Sequence, residues 1–344
     1  MPNLYICHTV YQVLIALLRA LRAGGAQGLV LSTTVPGADA LAKRLTISSA
    51  FSEVHLVDAG AYPGIAPGLF GTHFLQHTRN ARAFERACGY CLPRGKYAHI
   101  YISNDWSPLG RYLQDKALPY ILCEDTVGGT LDPDQHLLDE QRAAPGFEER
   151  RRKGRGYFYW GDVPCVTAVE SEDAARCTIF PPDKLITFSK KELLESLTEA
   201  EKTAVREVFI TQRLPAICNV GDTPSSGKAT LLLPRSFVED GLMTQPEQDA
   251  MFQAVAARYA ADGPLFIKTH PRDTTDYAAL FPRAIVLDRS MPSEVLNFCL
   301  PFKFRRAVTV QSWVLRGFTA ADEQIFLTLD EAKALSAGAG SRSH

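Results

Sequence analysis

The chain of 344 residues is 46% hydrophobic and 22% charged, a composition typical of well-packed globular proteins. This composition excludes a disordered, collagen-like or coiled-coil chain, and the length suffices for two α/β domains. With 37 basic and 38 acidic residues the net charge is −1. The chain therefore lacks the positive surface of a nucleic-acid-binding protein, and we expect no nucleic-acid partner.

Short apolar runs in the first half of the chain predict five β-strands. They are Leu4–Cys7, Gly28–Ser32, Glu53–Val57, His99–Ser103 and Pro119–Cys123. These runs are continuously apolar rather than alternating, as in strands that are buried on both faces of a sheet. Helical patterns lie between them, at Val10–Arg22 and Asp39–Leu45. The alternation of strand and helix predicts an α/β fold with parallel sheets.

The alternation is interrupted between about Asp132 and Ser226, where the pattern predicts a charged helix over Ser189–Val208. The stretch ends in residues 221–227, whose Gly, Pro and Ser content is typical of a linker. We therefore predict an N-terminal Rossmann-like domain over residues 1–225, with a helical insertion.

Strand and helix patterns resume in the second half and predict a C-terminal Rossmann-like domain over residues 226–335. The strands are Thr230–Leu233, Pro264–Lys268, Ala284–Leu287, Ala307–Val310 and Ile325–Leu329, and the helices are Pro246–Ala261 and Pro292–Asn297. The small and polar tail, residues 336–344, is predicted to be disordered.

No apolar run is long enough to cross a membrane, and the N-terminus lacks the basic segment of a secretory signal, so we predict a cytoplasmic protein. The eight scattered cysteines suit reduced, buried thiols. A basic cluster at 150–155 adjoins four aromatic residues at 157–160. It is either a solvated face or, through residues 150–160, a peripheral contact with the anionic inner membrane.

Ligands of open parallel sheets bind beyond the carboxyl ends of the strands, so polar residues that follow the apolar runs are candidate site residues. His270 follows one such run and lies between Lys268 and Arg272. If the backbone stays extended before Pro271, the two cations lie on the same side and the imidazole beside them suits a phosphate. The alternative is a histidine that ends a strand and is satisfied by backbone groups.

Two further strand ends of the second half carry candidate residues. Asp240 is a candidate general base, and its neighbour Glu239 is expected to raise its pKa by like-charge repulsion. The alternative is a turn built on Asp240-Gly241. Ser312 lies where the next helix is expected to begin, so it suits either phosphate binding or simple N-capping.

The first half offers His8 after the first strand and Glu124-Asp125 after the fifth. Carboxylates at a strand end suit sugar hydroxyls, and a solvated loop is the alternative. Asp132-Pro133-Asp134 matches the DxD pattern that some glycosyltransferases use for a metal, but the central proline favours a turn. We predict no bound metal and no cofactor.

Six short motifs together resemble a known family, and their order carries the resemblance. They are Leu4–Val13, Glu124-Asp125, Leu232–Gly241, Lys268–Arg272, Pro292–Glu294 and Gln311-Ser312. In this order they resemble the bacterial lipooligosaccharide sialyltransferases, glycosyltransferase family 52. The segment around His270 is similar to the family's His-Pro motif. The sequence departs from the family at Thr126, which replaces the glycine of an Asp/Glu-Asp-Gly motif and leaves the role of Glu124-Asp125 open.

The resemblance implies a GT-B architecture, with two Rossmann-like domains facing a central cleft. It also implies inverting, metal-independent transfer of sialic acid from CMP-sialic acid to a terminal sugar of a bacterial surface glycan, as in lipooligosaccharide biosynthesis. By position, Asp240 is the general base and His270 assists the departure of CMP. The donor-binding candidates are Lys268, Arg272, Glu294, Gln311 and Ser312, with Glu294 at the ribose and Ser312 at the phosphate. The acceptor-side candidates are His8, Glu124 and Asp125.

The expected partners are a nucleotide sugar and a glycan acceptor, and a homodimer is compatible with the family. Two alternatives stay open at this point. One is a transferase of the same fold that uses another nucleotide sugar. The other is a module that binds nucleotides or carbohydrates and has no catalytic activity.

Overall fold

The structure is a computed structural model that describes residues 1–62, 73–125, 135–153, 156–159, 161–177, 180, 182–211, 228–300, 302–312 and 314–340. The chain divides into two compact units, Met1–Glu201 and Lys202–His344. The predicted boundary near 220–228 falls almost entirely on residues 212–227, which lie outside the described residues. The domain limits 1–225 and 226–335 therefore stay a prediction.

The first unit is built on a seven-stranded sheet in the order β3-β2-β1-β4-β5-β6-β7, with every neighbouring pair parallel. The strands are β1 (Leu4–Cys7), β2 (Gln27–Ser32), β3 (Phe51–Val57), β4 (Ile100–Ile102), β5 (Tyr120–Cys123), β6 (Val166–Ser171) and β7 (Leu185–Thr187). In β2 the three consecutive residues Leu29, Val30 and Leu31 are all buried. Burial on both faces confirms the prediction drawn from the continuous apolar runs.

Helices follow or separate these strands. They are α1 (Val10–Ala23), α2 (Ala38–Ile47), α3 (His73–Cys88), α4 (Pro108–Asp115), α5 (Gln135–Ala143), α6 (Phe147–Arg152), α7 (Lys190–Glu195) and α8 (Glu199–Phe209), of which α8 continues into the second unit from Lys202 onward. Helix α1 begins at a threonine N-cap, because the Thr9 hydroxyl accepts the Gln12 N–H at 3.2 Å. The helix predicted over Ser189–Val208 is instead two helices, since Thr198 and Glu201 form a new cap at the start of α8.

Strands β6 and β7 lie in the stretch where the sequence predicted an interruption, so that prediction was wrong. Strand β6 escapes detection because it ends in two buried polar residues, Glu170 and Ser171. The Glu170 carboxylate is paired with the guanidinium of Arg19 in α1, with Nη2 and Oε2 2.5 Å apart. Such a long-range partner satisfies a buried charge but leaves no apolar pattern in the local sequence.

The second unit is built on a five-stranded parallel sheet in the order β10-β9-β8-β11-β12. The strands are β8 (Thr230–Leu233), β9 (Leu265–Lys268), β10 (Ile285–Leu287), β11 (Phe304–Val310) and β12 (Ala321–Leu327). The helices are α9 (Gln245–Tyr259), α10 (Tyr277–Leu280), α11 (Leu296–Cys299) and α12 (Leu329–Gly340). The core packs Leu232, Ile267 and Val308 of the sheet against Phe252 of α9.

The C-terminal tail differs from its prediction, because α12 continues through residues 336–340. The helix starts with a capping arrangement in which Glu331 accepts the Thr328 N–H at 2.7 Å, and its sequence is rich in alanine, which favours helix. Residues 341–344 lie outside the described part. Among the helices that the structure describes, none is long and apolar enough to cross a membrane.

Both sheets contain a point at which the strand order reverses. In the first unit it lies between β1 and β4, and in the second between β8 and β11. Ligands of open α/β sheets bind at such points, beyond the carboxyl ends of the strands. The loops that follow β1, β4, β8 and β11 are therefore where the candidate residues are expected.

Candidate functional site

The loop after β8 is held in place by a buried glutamine of α9. Both Phe237 and Val238 donate their backbone N–H groups to the Gln248 side-chain oxygen, at 2.9 and 3.2 Å. The loop closes into a turn in which the Asp240 N–H donates to the Ser236 carbonyl. Because Gln248 is fully buried, Asp240 is presented by a backbone with little freedom.

Two arginines bind the Asp240 carboxylate. Arg235 Nε lies 3.0 Å from one oxygen and Arg272 Nη2 lies 3.0 Å from the other. Burial acts to raise the pKa of Asp240, but the hydrogen-bonded guanidinium groups outweigh it and the pKa is lowered. The prediction that Glu239 raises this pKa is therefore wrong: the Glu239 carboxylate instead accepts the Thr274 N–H and hydroxyl, at 2.7 and 2.6 Å.

The imidazole of His270 is oriented through its Nδ1 atom. This atom lies 3.2 Å from the Ser236 hydroxyl oxygen and accepts the backbone N–H of Arg272 at 3.2 Å. Burial lowers the pKa of His270, and the nearby charges of Arg272 and Lys268 lower it further. The ring is therefore neutral at pH 7, and because Nδ1 is an acceptor, the proton is on Nε2.

Lys268 and Arg272 do not flank His270 on one side, as the sequence predicted. A turn replaces the expected extended backbone, with the Asp273 N–H donating to the His270 carbonyl at 3.1 Å. The Lys268 ammonium is buried and donates to the Thr269 carbonyl at 2.7 Å, whereas the Arg272 side chain is 61% exposed. Burial lowers the pKa of Lys268 to about 8, against the opposing charge of Glu294.

Glu294 and Lys268 are electrostatic neighbours in the same unit. Burial raises the pKa of Glu294, while a hydrogen bond from the Ser293 hydroxyl and the charge of Lys268 lower it by less. A half-buried carboxylate with a raised pKa is a candidate for hydrogen bonding to ligand hydroxyls.

Gln311 and Ser312 follow β11 at the reversal point. Gln311 has a φ of +44°, which is uncommon for any residue except glycine, and its carbonyl accepts Arg235 Nη1 at 3.0 Å. The helix expected to start at Ser312 is absent from the described residues, and a turn over 314–317 follows instead. The Ser312 hydroxyl accepts the Val314 N–H at 3.3 Å, so the residue offers a hydroxyl without a helix N-terminus.

In the first unit, Gln12 connects two of the acceptor-side candidates. Its side-chain oxygen accepts the His8 N–H at 2.7 Å, and its amide donates to Asp125 Oδ1 at 2.5 Å. Within the described residues, both ring nitrogens of His8 are buried without a hydrogen-bond partner. Burial lowers the pKa of His8 to about 4, so this imidazole is neutral and unsatisfied.

Glu124 differs from its neighbour Asp125. The Glu124 carboxylate is buried and accepts the Glu172 N–H at 2.5 Å and the Ser171 hydroxyl at 3.3 Å, and its carbonyl accepts the ammonium of Lys190. These contacts join the ends of β5 and β6 and occupy the carboxylate. Asp125 is exposed, so of this pair it is the residue accessible to a ligand.

The sequence interpretation missed three residues at these edges. Arg235 contacts Asp240, five residues further along the chain, and Ser236 contacts His270 on another loop. The sequence pattern does not indicate either contact, so neither residue was singled out. Trp106 is 53% exposed in the loop between β4 and the Ser107 N-cap of α4. A tryptophan after an apolar strand at a reversal point was the available signal.

Other sequence candidates are less informative. Thr126 and the Asp132-Pro133-Asp134 triplet lie outside the described residues. Of the aromatic residues beside the basic cluster, Phe158 is buried and the Tyr157 hydroxyl donates to Asp115 at 2.9 Å. These two side chains are directed inward, and membrane contact through 150–160 stays a prediction. Across the described ranges, no three His, Cys, Asp or Glu residues form a cluster suited to a metal ion.

No family model matches the chain. An uncharacterized protein from Haemophilus influenzae is 37% identical over 86 residues, which are 25% of this chain. The chain spans 28% of the length of that relative.

Three solved structures share the fold. An α/β-galactoside α-2,3-sialyltransferase from Photobacterium phosphoreum is 10% identical with a TM-score of 0.50, over 97% of this chain and 94% of that one. A Photobacterium 2,6-sialyltransferase in complex with CMP and lactose is 9% identical with a TM-score of 0.52, over 94% and 71%. A UDP-GlcNAc 2-epimerase from Neisseria meningitidis, bound to UDP-GlcNAc, is 11% identical with a TM-score of 0.50, over 99% and 86%.

These similarities agree with the two parallel-sheet units described above. The chain has the GT-B fold, with two Rossmann-like α/β units, as the sequence predicted. Sequence identities of 9–11% carry the fold and not the activity.

Proposed function

We propose that this protein is an inverting glycosyltransferase that moves sialic acid from CMP-sialic acid to a terminal sugar of a bacterial surface glycan of the lipooligosaccharide type. The observation that carries the proposal is the cluster of Asp240, His270 and Arg272 at one carboxyl edge of the second unit. It combines an ionised carboxylate, a neutral imidazole with a proton on Nε2, and an exposed guanidinium. The GT-B fold supports the general class, and the resemblance of the motifs supports the donor.

The donor would bind by its phosphate and ribose. The Nε2–H of His270, the guanidinium of Arg272 and the hydroxyl of Ser312 are donors for phosphate oxygens. Glu294 would accept hydrogen bonds from the ribose hydroxyls. Lys268 is buried, so its contribution is the positive charge it adds near Glu294 and His270 rather than a direct phosphate contact. Gln311 would hold the loop after β11 in place, because its carbonyl accepts a hydrogen bond from Arg235 Nη1.

The reaction we propose is a single displacement. Asp240 accepts the proton of the acceptor hydroxyl while that oxygen forms a bond to the anomeric carbon of sialic acid. The bond from this carbon to the phosphate oxygen breaks, and its electron pair leaves on CMP. His270 stabilises the developing charge by a hydrogen bond from Nε2. Because the nucleophile enters opposite the leaving group, the configuration inverts. Arginine and imidazole supply the stabilisation that a divalent ion supplies elsewhere, and we propose that no metal is required.

The residues proposed for the acceptor sugar lie in the first unit. Asp125 is exposed and held by Gln12, so it is the residue of this group that a sugar hydroxyl can reach. Both ring nitrogens of His8 are buried, so His8 would support the loop through its backbone N–H bond to Gln12 rather than contact the sugar. Glu124 would support the loop rather than contact the sugar. A cytoplasmic location, peripheral contact with the inner membrane through 150–160, and a homodimer complete the proposal.

Thermal unfolding with nucleotides tests the donor. A ligand of the native state stabilises it by about 2.7 kcal/mol at a concentration 100 times its Kd. We expect CMP to raise the Tm, and UDP and GDP at equal concentration to leave it unchanged. Glu294→Gln should reduce the rise in Tm that CMP causes. Asp262→Asn is the control and should leave this rise unchanged, because Asp262 forms an exposed ion pair with Arg305 near the amino ends of β9 and β11.

Two outcomes would favour the alternatives. Stabilisation by UDP and not by CMP would indicate a transferase of the same fold with another donor, which the likeness to a UDP-GlcNAc-bound epimerase keeps open. CMP binding without transfer to any acceptor would indicate a module that binds nucleotides without catalysis.

A further inference from the structure

The Asp240 carboxylate has no oxygen free of cations. Arg235 and Arg272 each bind one oxygen at 3.0 Å, and the side chain is only 15% exposed. A carboxylate with two guanidinium partners is a weak base, because both partners stabilise its ionised form. The general base assigned under the proposed function is therefore held in a form that removes a proton poorly.

The two arginines are anchored differently. The guanidinium of Arg235 makes a second hydrogen bond, from Nη1 to the Gln311 carbonyl, and lies 5.6 Å from the centre of the Phe237 ring. Among the described residues, the guanidinium of Arg272 forms an ion pair with Asp240 alone, interacts with Glu239 through its charge only, and is 61% exposed. An exposed single ion pair contributes little free energy, so Arg272 can leave Asp240 at low cost, whereas Arg235 cannot.

Arg272 also stands where a donor phosphate is expected. Its backbone N–H donates to Nδ1 of His270, which leaves Nε2 of the ring as the atom available to a phosphate oxygen. A guanidinium can bind two phosphate oxygens in a planar, bidentate geometry, whereas Arg272 contacts Asp240 through one oxygen, Oδ1. The same side chain thus has two competing anionic partners, Asp240 and the donor phosphate.

We propose that Arg272 exchanges Asp240 for the donor phosphate when the donor binds, and that this exchange frees one oxygen of Asp240 to accept the acceptor proton. The inference rests on the proposed role of Asp240 as the base. It makes base activation depend on the presence of the donor, so the acceptor is not deprotonated before there is a sugar to transfer. Arg235 stays in place and keeps the carboxylate oriented. Among the described residues, the charged groups around Asp240 are Arg235 and Glu239 on its own loop and Arg272 on the loop after β9, and the neutral but titratable His270 lies on that same loop.

A double-mutant cycle on CMP affinity tests the exchange. Asp240→Asn removes the competing partner, so CMP should bind about two- to fivefold more tightly. Arg272→Gln alone should weaken CMP binding. In the Arg272→Gln background, Asp240→Asn should no longer improve affinity, because the guanidinium that would leave Asp240 for the phosphate is absent. Cytidine, which lacks the phosphate, should bind all four proteins equally.

Glu239→Gln is the matched control for the general field of a carboxylate. Glu239 is adjacent to Asp240 but is bound by Thr274. If loss of negative charge alone tightens binding, Glu239→Gln and Asp240→Asn will give similar gains, and the Asp240→Asn gain will persist without Arg272. Either result would overturn the exchange, as would weaker CMP binding by Asp240→Asn.

The outcome is separable from that of the proposed function. If the wild-type protein binds UDP or GDP rather than CMP, the donor assignment fails, and the same cycle is measured with the nucleotide that binds. A gain that depends on Arg272 would then still support the exchange. A wild-type protein that binds none of the three nucleotides would overturn both.

Discussion

Replacement of His270 by asparagine isolates the one atom through which this residue is proposed to act. The side-chain oxygen of asparagine takes approximately the place of Nδ1, so it can still accept the Arg272 N–H and contact Ser236, and the loop is retained. The Nε2 donor is lost. A hydrogen bond to a charged group contributes about 1.5–3 kcal/mol, so kcat should fall by about 10- to 150-fold. Glutamine, whose amide lies near the position of Nε2, should restore part of the activity.

The assay is steady-state release of CMP during transfer, with the Tm of each variant measured alongside. His99→Gln, in an exposed position before β4, is the control and should have wild-type kinetics. A folded His270→Asn variant within threefold of wild-type kcat would refute the role. A much larger loss, about 10³-fold or more, would indicate full proton transfer by His270 rather than hydrogen bonding.

The pH dependence gives an independent check on the same residue. Because the pKa of His270 is lowered from its ordinary value of 6.5, the neutral ring predominates at pH 7 and above. The activity should therefore stay level as the pH rises from about 6.5 to 7.5, below the pKa of about 8 at which Lys268 loses its charge, and fall in more acidic solution. A decrease in kcat/KM as the pH rises through this range would show that the protonated imidazole is required.

Two further predictions concern the first unit. The pKa of His8 is about 4 in the folded protein and near 6.5 when unfolded, so the unfolded chain takes up the proton first as the pH falls. The free energy of unfolding should fall by about 2 kcal/mol between pH 7 and pH 5 because of His8. When unfolding by urea is measured for His8→Gln, this part of the decrease should be absent. An equal pH dependence in the variant would contradict a neutral, buried His8. Trp106→Ala should raise the KM for the acceptor severalfold with little change in the KM for the donor, because the exposed ring lies at the acceptor-side reversal point; an unchanged acceptor KM would remove Trp106 from the site.

The sequence predicted the strands that are apolar along their whole length. Leu4–Cys7 and Thr230–Leu233 were placed without error, because each is buried on both faces and needs no partner to explain its composition. Strand β6 was missed because Glu170 is buried only by virtue of Arg19, which lies 151 residues away. Long-range charge pairing of this kind leaves no local periodicity.

In the site, too, the positions of the candidate residues could be predicted from the sequence, whereas their contacts could not. The strand-end rule identified Asp240 and His270 from their positions alone, and the structure brings them to one edge. Their partners could not be inferred, since the neighbour in sequence, Glu239, turns to Thr274 while Arg272 reaches Asp240 through a turn after His270. The charges around Asp240 are therefore set by this turn and not by the residue next to it in the sequence.

The most direct test of the account is product formation. The protein is incubated with CMP-sialic acid and an array of glycan acceptors without added metal, and the products are read by mass spectrometry. We expect at least one acceptor to gain the mass of one sialic acid residue, with release of an equal amount of CMP, and Asp240→Asn to abolish this gain. Unmodified acceptors across the array, from a protein that binds CMP and remains folded, would contradict it.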